Sequence, residues 1–232
     1  QVVQDHMFLD GLEDAYDKGR LMGTFAEDCA TKFAFTREAQ DAFALASLER
    51  APKANNDGTF GWEIAPVRVT GRKGDVVIDR DEQPAKASPE KIPTLRPAFC
   101  KDGTVTAANS SSISDGAAAL VLMRRSMADK LGLKPLATIV GPATHAHEPG
   151  WFTTAPVAAI SKLLAAVGWT VGDVDLFEVN EAFAVVAMAP IRELGIPHEK
   201  LNVNGGATAL GHPIGASGAR ILVTLIHALR KR

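Results

Sequence analysis

The sequence predicts an α/β protein in which a mainly parallel sheet, covered by helices, follows a less regular N-terminal region. Strand-like and helix-like segments alternate from Ser114 onward, their lengths suit right-handed crossovers, and glycine or proline stands at many of their boundaries. In a chain of 232 residues, 46% hydrophobic and 22% charged residues are enough to form a substantial core. We therefore expect two units, residues 1–113 and residues 114–232.

Two helices are predicted near the N-terminus. Residues 25–33 form a short one, and a longer helix begins after Thr36, a residue type that caps helix N-termini well. Glu38 would lie in the positively charged first turn of this second helix. The sequence Asn-Asn-Asp-Gly at 55–58 predicts its end.

A β-hairpin is predicted next. Residues 62–69 and 75–79 have the composition of two strands, and the turn between them, at 70–74, contains two glycines. Residues 81–105 are rich in Pro, Lys and Asp and predict an extended connection into the second unit.

The second unit is predicted to alternate four strands with four helices. A continuous apolar run is typical of a buried parallel strand, while a proline at the start and a glycine at the end mark a helix. The predicted strands are 117–123, 136–140, 174–179 and 201–203, and the helices are 126–132, 155–167, 181–194 and 217–229. Ligands of such sheets gather beyond the carboxyl ends of the strands. Asn180 and His212 follow the third and fourth strands there.

The glycine-rich segment 202–220 is the strongest chemical signal. Its five glycines permit positive φ angles and close approach of the backbone to a ligand. Pro213 restricts the preceding residue to an extended conformation and would fix His212 at the turn. A helix that begins near Ser217 would direct its free N–H groups back toward this histidine. The pattern predicts a histidine that polarises a carbonyl or activates a thiol, or else a packing turn with a surface histidine.

Segment 177–184 places a polar Asn-Glu pair at a strand-to-helix junction. Asn180 could orient a water molecule or donate to an oxyanion. The alternative is that it is only the N-cap of the following helix, which is the commonest role of asparagine at such a junction.

Segment 106–116 is small, polar and rich in hydroxyl and amide groups. Such a composition suits the lining of a polar tunnel, and equally a loop between domains.

Together these segments resemble the thiolases, enzymes that make or cleave 3-ketoacyl-CoA by Claisen chemistry. Asn-Glu-Ala-Phe-Ala at 180–184, Asn-Ser-Ser-Ser-Ile-Ser-Asp-Gly at 109–116, Met-Gly-Thr-Phe-Ala-Glu at 22–27 and the glycine-rich motif at 205–220 carry the likeness. Their order and spacing fit over essentially the whole chain. The resemblance implies the C-terminal portion of a thiolase fold, preceded by an inserted loop domain that binds CoA and helps to form tetramers.

The resemblance also implies roles for individual residues. His212 would activate the nucleophilic cysteine and, with a water held by Asn180, bind the thioester oxygen. Ser111 would contact the pantetheine arm of CoA. Phe183 and Met22 would line the acyl and pantetheine channel, and Arg72 would contact the nucleotide end of CoA. The implied catalytic residues are His212 and Asn180, and the implied CoA-binding residues are Ser111, Arg72, Met22 and Phe183. For Arg72 a solvated turn is the alternative.

Two family motifs are missing from the chain. Thiolases use a nucleophilic cysteine in the N-terminal half and a second, acid/base cysteine in a Cys-x-Gly-Gly-Gly segment near the C-terminus. Neither Cys29 nor Cys100 lies in such a motif. Without an attacking thiolate no acyl-enzyme forms. We therefore predict a chain cut at both ends that is inactive alone. The alternatives are a non-catalytic CoA-binding module and a stable fragment with only an assembly role.

Composition limits the remaining expectations. A net charge of −2 gives no sign of nucleic-acid or membrane binding, and no apolar run approaches the ~20 residues of a membrane span. Two cysteines suit a reducing, cytoplasmic compartment. No metal site is predicted, since His145 and His147 lack a third ligand. CoA or acyl-CoA would be a substrate rather than a tightly bound cofactor, and a homo-oligomer, dimer or tetramer, is expected from the resemblance.

Overall fold

The computed structural model describes residues 3–231 and consists mainly of helices. Seven α-helices follow one another in this part of the chain: α1 (Met22–Phe33), α2 (Arg37–Asn56), α3 (Arg125–Lys130), α4 (Ala155–Val167), α5 (Ala184–Leu194), α6 (Ala207–Leu210) and α7 (Ile214–Lys231). Two strands, β1 (Val67–Gly71) and β2 (Gly74–Ile78), lie between α2 and α3. A π-helical turn at Phe8–Leu12 and six short 3₁₀ turns complete the elements of this part of the chain.

The two N-terminal helices confirm the sequence prediction. The Thr36 hydroxyl accepts a hydrogen bond from the Ala39 N–H at 3.2 Å, as an N-cap does, and α2 ends at Asn56 before the predicted Asp-Gly stop. Helix α1 begins three residues earlier than expected and ends at Phe33; its C-cap residue, Ala34, has a left-handed φ of 52°.

The hairpin is confirmed in its position but not in its length. Strand β1 pairs with β2 in antiparallel register, from Val67 opposite Ile78 to Gly71 opposite Gly74. The first strand does not extend back to residue 62, because Phe60–Trp62 forms a 3₁₀ turn. The predicted extended connection at 81–105 is also partly wrong, since it contains 3₁₀ turns at Gln83–Lys86 and Pro89–Thr94.

The predicted parallel sheet does not form as a hydrogen-bonded ladder in residues 3–231. Segments 117–123 and 136–140 have no strand structure and are largely exposed, with Val121 87% and Ile139 70% accessible. Segments 174–179 and 201–203 meet only at one parallel bridge, between Phe177 and Leu201. An apolar run becomes a buried strand only where a neighbouring strand satisfies its backbone groups. Among the described residues, no neighbouring strand lies beside segments 117–123 and 136–140.

The helices of the second unit agree better with the sequence. Helix α4 has the predicted bounds, with Pro156 in its first turn and Gly168 at its C-cap with φ 71°. Helix α3 is present, although Arg124, not Ser126, precedes it. Helix α5 begins three residues later than predicted and α7 three residues earlier, while α6 was not predicted.

Helix α5 is the centre of the packed core. Its residues Val185 and Val186 join the cluster that contains Cys29 of α1, and Ala184 and Ala187 join the cluster that contains Phe43 of α2. Helix α4 packs against it as well. Helix α5 is buried on several sides, so the position of its first residue is fixed. The segment immediately before it, 180–183, is therefore held in place as well.

One helical segment, Pro149–Val167, is long and apolar enough to cross a membrane by length and composition alone. Its 19 residues differ from the expectation that no apolar run approaches the length of a membrane span. The segment is broken at Trp151, whose φ and ψ are not helical, and its continuous part is the 13-residue α4. Thirteen residues of α-helix extend about 20 Å, less than the ~30 Å of a hydrocarbon core. The regular helix is therefore too short to span a bilayer.

Candidate active site

The glycine-rich segment forms a compact turn built around α6. Gly205 and Gly211, at its two sides, have φ angles of 83° and 92°. A Cβ atom at Gly205 would lie 2.7 Å from the backbone oxygen of Ser47, and one at Gly211 would overlap the hydroxyl of Ser114. Both positions therefore require glycine for conformation and for space. The turn ends at His212, two residues before α7.

His212 is half-buried and fixed by its backbone and by its ring. Its N–H donates to the carbonyl of Ser112 at 3.0 Å, and Ile113 forms a parallel bridge with it. Its Nδ1 lies 2.6 Å from the hydroxyl of Ser217 in the first turn of α7. The loop 106–116 and the glycine-rich turn are thereby brought together at the histidine.

Both ring nitrogens of His212 have polar neighbours. The Ser217 hydroxyl donates to the carbonyl of Pro213 at 3.1 Å and lies 2.6 Å from Nδ1 of His212. The Asn180 amide nitrogen lies 3.3 Å from Nε2 and 3.5 Å from Nδ1. In the tautomer with the proton on Nδ1, the ring donates to Ser217 and its basic nitrogen, Nε2, faces Asn180.

Asn180 is not a helix cap, because Phe183 is the N-cap residue of α5. The side chain contacts His212 through Nδ2, while its buried Oδ1 accepts no hydrogen bond from the described residues. Buried acceptors are generally satisfied by a protein group, a water molecule or a ligand. This excludes the capping interpretation and leaves Oδ1 available beside the histidine.

Burial and charge both favour the neutral form of His212. The half-buried environment of the ring lowers its pKa, and the positive charge of Arg220 lowers the pKa further. The nearby carboxyl of Glu178 shows the opposite effect of burial: both oxygens are buried and without partners, and the pKa is raised to about 8. Arg220 works against this rise, while the negative charges of Glu181 and Glu63 add to it.

Three of the four predicted CoA-binding residues lie around the same segments. Ser111 donates through its backbone N–H and its hydroxyl to the carbonyl of Ala182, at 3.0 and 2.9 Å, so it ties its loop to segment 180–184. Met22, at the start of α1, packs against the cluster that contains Phe183. Phe183 is 9% exposed and meets the Phe99 ring edge to face.

Arg72 lies apart from this cluster. It occupies the turn of the β1–β2 hairpin, in which every strand residue is exposed. The structure gives the side chain no contact with the residues around His212, so its predicted role remains a prediction.

The two cysteines lie in different environments. Cys29 is fully buried in the core beside α5, and burial raises the pKa of its thiol to about 11. Cys100 is exposed in an irregular segment. Among residues 3–231, no group of three or more His, Cys, Asp or Glu side chains could hold a metal ion.

The sequence interpretation missed the partners of the site. The sequence indicates Ser217 only as a helix start, although its position five residues after His212 permits a contact across the turn. It indicates Glu181 only as the neighbour of Asn180, yet this side chain is 1% exposed and hydrogen-bonded to the glycine-rich turn. The Ser112 carbonyl, which fixes the backbone of His212, left no signal in the sequence.

Together the fold and the site place a half-buried histidine beside a carboxamide, where the segment before α5 meets the glycine-rich turn. The chain belongs to the thiolase family. Residues 1–126 match the family model "Thiolase, N-terminal domain" and residues 133–232 match "Thiolase, C-terminal domain". The predicted family is confirmed, while the predicted domain boundary at residue 113 remains a prediction.

Several proteins of known name are similar to this chain. It is 52% identical to the "Probable acetyl-CoA acetyltransferase" of Dictyostelium discoideum over 100% of the chain and 56% of that protein. It is 54% identical to the acetyl-CoA acetyltransferase of Chromobacterium violaceum over 98% of the chain and 58% of the relative. The chain thus spans little more than half the length of these relatives.

Solved structures confirm the thiolase fold. The crystal structure of the Bacillus anthracis acetyl-CoA acetyltransferase matches 95% of this chain and 56% of its own, with a TM-score of 0.92 and 45% identity. Human mitochondrial 3-ketoacyl-CoA thiolase matches 99% of this chain and 58% of its own, with a TM-score of 0.90 and 40% identity. The chain therefore follows the thiolase path even where its strands are not hydrogen-bonded.

Proposed function

We propose that the intact protein is an acyl-CoA C-acyltransferase that forms or cleaves short-chain 3-ketoacyl-CoA. The observation that carries the proposal is the pair His212 and Asn180, with Nε2 of the ring 3.3 Å from the amide nitrogen. Relatives named acetyl-CoA acetyltransferase, about half identical over nearly all of this chain, support the substrate class.

The geometry suits one half of a thiolase reaction. Nε2 of His212 takes the proton of a cysteine thiol, and the thiolate attacks the carbonyl of an acyl-CoA donor. The C–S bond of the donor breaks, CoA leaves as its thiol with a proton from the acid/base cysteine, and the acyl group remains as a thioester on the nucleophilic cysteine. The protonated ring and a water held by Asn180 then donate to the thioester oxygen. The lowered pKa of the histidine favours the neutral, basic form of the ring. In a ping-pong sequence the acyl group then passes to CoA, or to a second acyl-CoA by Claisen condensation.

This chain supplies the histidine and the carboxamide but not the nucleophile. The buried thiol of Cys29 has a raised pKa, and Cys100 lies outside the site, which supports a nucleophile elsewhere in the protein. The second, acid/base cysteine would likewise come from outside the 232 residues.

CoA would be bound as a substrate, not as a resident cofactor. Ser111, Met22 and Phe183 lie on the segments that surround the histidine and are proposed to line the pantetheine and acyl channel. Arg72, in its exposed turn, is proposed to approach the phosphates of the nucleotide, a role that suits a guanidinium. We further propose a cytoplasmic homodimer or homotetramer acting in fatty-acid metabolism.

The test compares the 232-residue chain with the protein encoded by the whole reading frame. We expect the whole protein to consume acetoacetyl-CoA in the presence of CoA, and the 232-residue chain to show no turnover. His212→Gln should reduce kcat of the whole protein by roughly 100-fold or more, since it removes the general base. His6→Gln, at an exposed position, is the matched control. Turnover by the 232-residue chain, or an unaffected His212→Gln variant, would contradict the proposal.

Two other functions make different predictions. A non-catalytic CoA-binding module would bind CoA, measured by calorimetry, while the whole protein showed no turnover. A fragment with only an assembly role would neither bind CoA nor turn over, and would form oligomers in sedimentation experiments. The His212–Asn180 geometry favours the enzyme over both.

A further inference from the structure

Glu181 lies at the centre of a buried hydrogen-bond network that connects three separate parts of the chain. The residue is 1% exposed. Its carboxylate accepts from the Ser47 hydroxyl of α2 at 2.9 Å and from the Asn202 amide at 2.8 Å. It also accepts from the backbone N–H and the hydroxyl of Thr208, at 3.1 and 2.6 Å. Thr208 is in α6, inside the glycine-rich turn that ends at His212.

Every partner of this carboxylate is a hydrogen-bond donor. Ser47 also accepts from the Gly206 N–H at 2.7 Å, so its single hydroxyl proton is directed at Glu181. A Cβ atom at Gly206 would overlap the carboxylate, which therefore lies directly against the backbone of the turn. An acceptor-only group is required here, because an amide would direct its own N–H groups at donors.

The network is also anchored on the side of Asn180. The Asn202 amide donates to the carbonyl of Val179 at 2.8 Å, and its oxygen accepts from the Val179 N–H at 2.9 Å. Asn202 has a φ of 48°, a left-handed conformation that asparagine tolerates better than most residues. Arg50 of α2 donates to the carbonyls of Leu201 and Asn202. The segment before Asn180 and the turn before His212 thus share one set of buried bonds.

We propose that Glu181 is a positioning residue that sets the register between the Asn180 segment and the turn carrying His212, and that Ser47 extends this control to α2. The carboxylate hydrogen-bonds to Ser47, Asn202 and Thr208 and not to His212 or Asn180, so it acts through the backbone of α6 and of residues 201–208. Its importance for catalysis rests on the proposed function, whereas its effect on the His212 ring does not.

The test measures the His212 ring in the 232-residue chain by an NMR pH titration of its Cε1–H signal, assigned with the His212→Gln variant. Glu181→Gln keeps the shape of the side chain but places an amide among donors. We expect the turn to relax, the His212 ring to become more hydrated, and its pKa to rise by about half a pH unit. Ser47→Ala should cause a smaller rise in the same direction. Glu193→Gln, at an exposed site on α5, should leave the His212 titration unchanged.

A merely structural role would give a different result. It would lower the Tm of Glu181→Gln and Ser47→Ala without moving the His212 titration of the folded variants, and this outcome would overturn the proposal. If Glu181→Gln does not fold, the His212 titration is measured in Ser47→Ala and Thr208→Val instead. A raised His212 pKa in these variants would support the proposal, and an unchanged one would overturn it. In the whole protein, a positioning role predicts a fall in kcat with little change in KM. Absence of all turnover in the wild type would refute the enzymatic function, yet leave the titration result valid.

Discussion

Replacing Glu178 by glutamine should change the stability of the chain in a way that depends on pH. The free energy of unfolding of Glu178→Gln, measured relative to the wild type, should be higher at slightly alkaline pH than at acidic pH. Both carboxylate oxygens are buried without partners, and burial raises the pKa from 4.5 to about 8. In the unfolded chain this carboxyl loses its proton near the ordinary value, while the folded state keeps it to about pH 8. Between these pH values the folded state binds more protons, so stability falls as the pH rises.

The magnitude follows from the same values. Each unit of pKa difference corresponds to about 1.4 kcal/mol. Between about pH 5.5 and about pH 7.5, the free energy of unfolding of the wild type should fall by roughly 2 to 3 kcal/mol relative to Glu178→Gln, which cannot ionise. Because the comparison is between two proteins at the same pH, the other titrating groups largely cancel.

The measurement is urea-induced unfolding followed by circular dichroism at several pH values. Glu193→Gln, which removes an exposed carboxyl from α5, should show no such pH-dependent difference. If the stability difference between Glu178→Gln and the wild type is the same at both pH values, the carboxyl ionises normally in the folded protein. The electrostatic description of the site would then be wrong.

Three further predictions concern other parts of the chain. In a thiol-reactive dye assay, exposed Cys100 should react at once, and buried Cys29 only after urea unfolds the chain. Two rapidly reacting thiols in the folded chain would contradict the burial of Cys29 in the core. Thr36→Ala should lower the free energy of unfolding by about 1 kcal/mol, since it removes the N-cap of α2, and an unchanged urea midpoint would argue against that cap. Gly205→Ala should cost roughly 2 kcal/mol in the same experiment, because φ is positive and a Cβ atom would meet the Ser47 carbonyl.

The elements that the sequence predicts correctly are those whose ends are determined locally. Pro156 and Gly168 act on the backbone at their own positions, and α4 begins and ends where they indicate. Thr36 caps α2 through a bond that spans three residues. Segment 117–123 does not form the predicted strand, because its structure is not determined locally. Its apolar character is visible in the sequence, but strand structure depends on a neighbour that no local pattern specifies.

The candidate site divides in the same way. The proximity of His212 and Asn180 could be predicted, since each follows a strand-like segment and each lies in a motif of a known family. The network that positions them could not, because the bond between Ser47 and Glu181 joins residues 134 positions apart. Ser217 is an intermediate case: its position close to His212 in sequence permitted the contact, but only the turn through Pro213 creates it.

The unequal burial of α5 and α7 has a consequence for hydrogen exchange. Six of the eleven residues of α5 are buried, whereas only Ser217, Thr224, His227 and Ala228 are buried along the 18 residues of α7. Amides of α5 should therefore exchange only through the largest opening of the chain, and those of α7 through smaller, more frequent ones. Asn180 precedes the slow helix and His212 the fast one. We therefore expect the two halves of the site to belong to regions with different opening rates, with the more frequent openings on the histidine side.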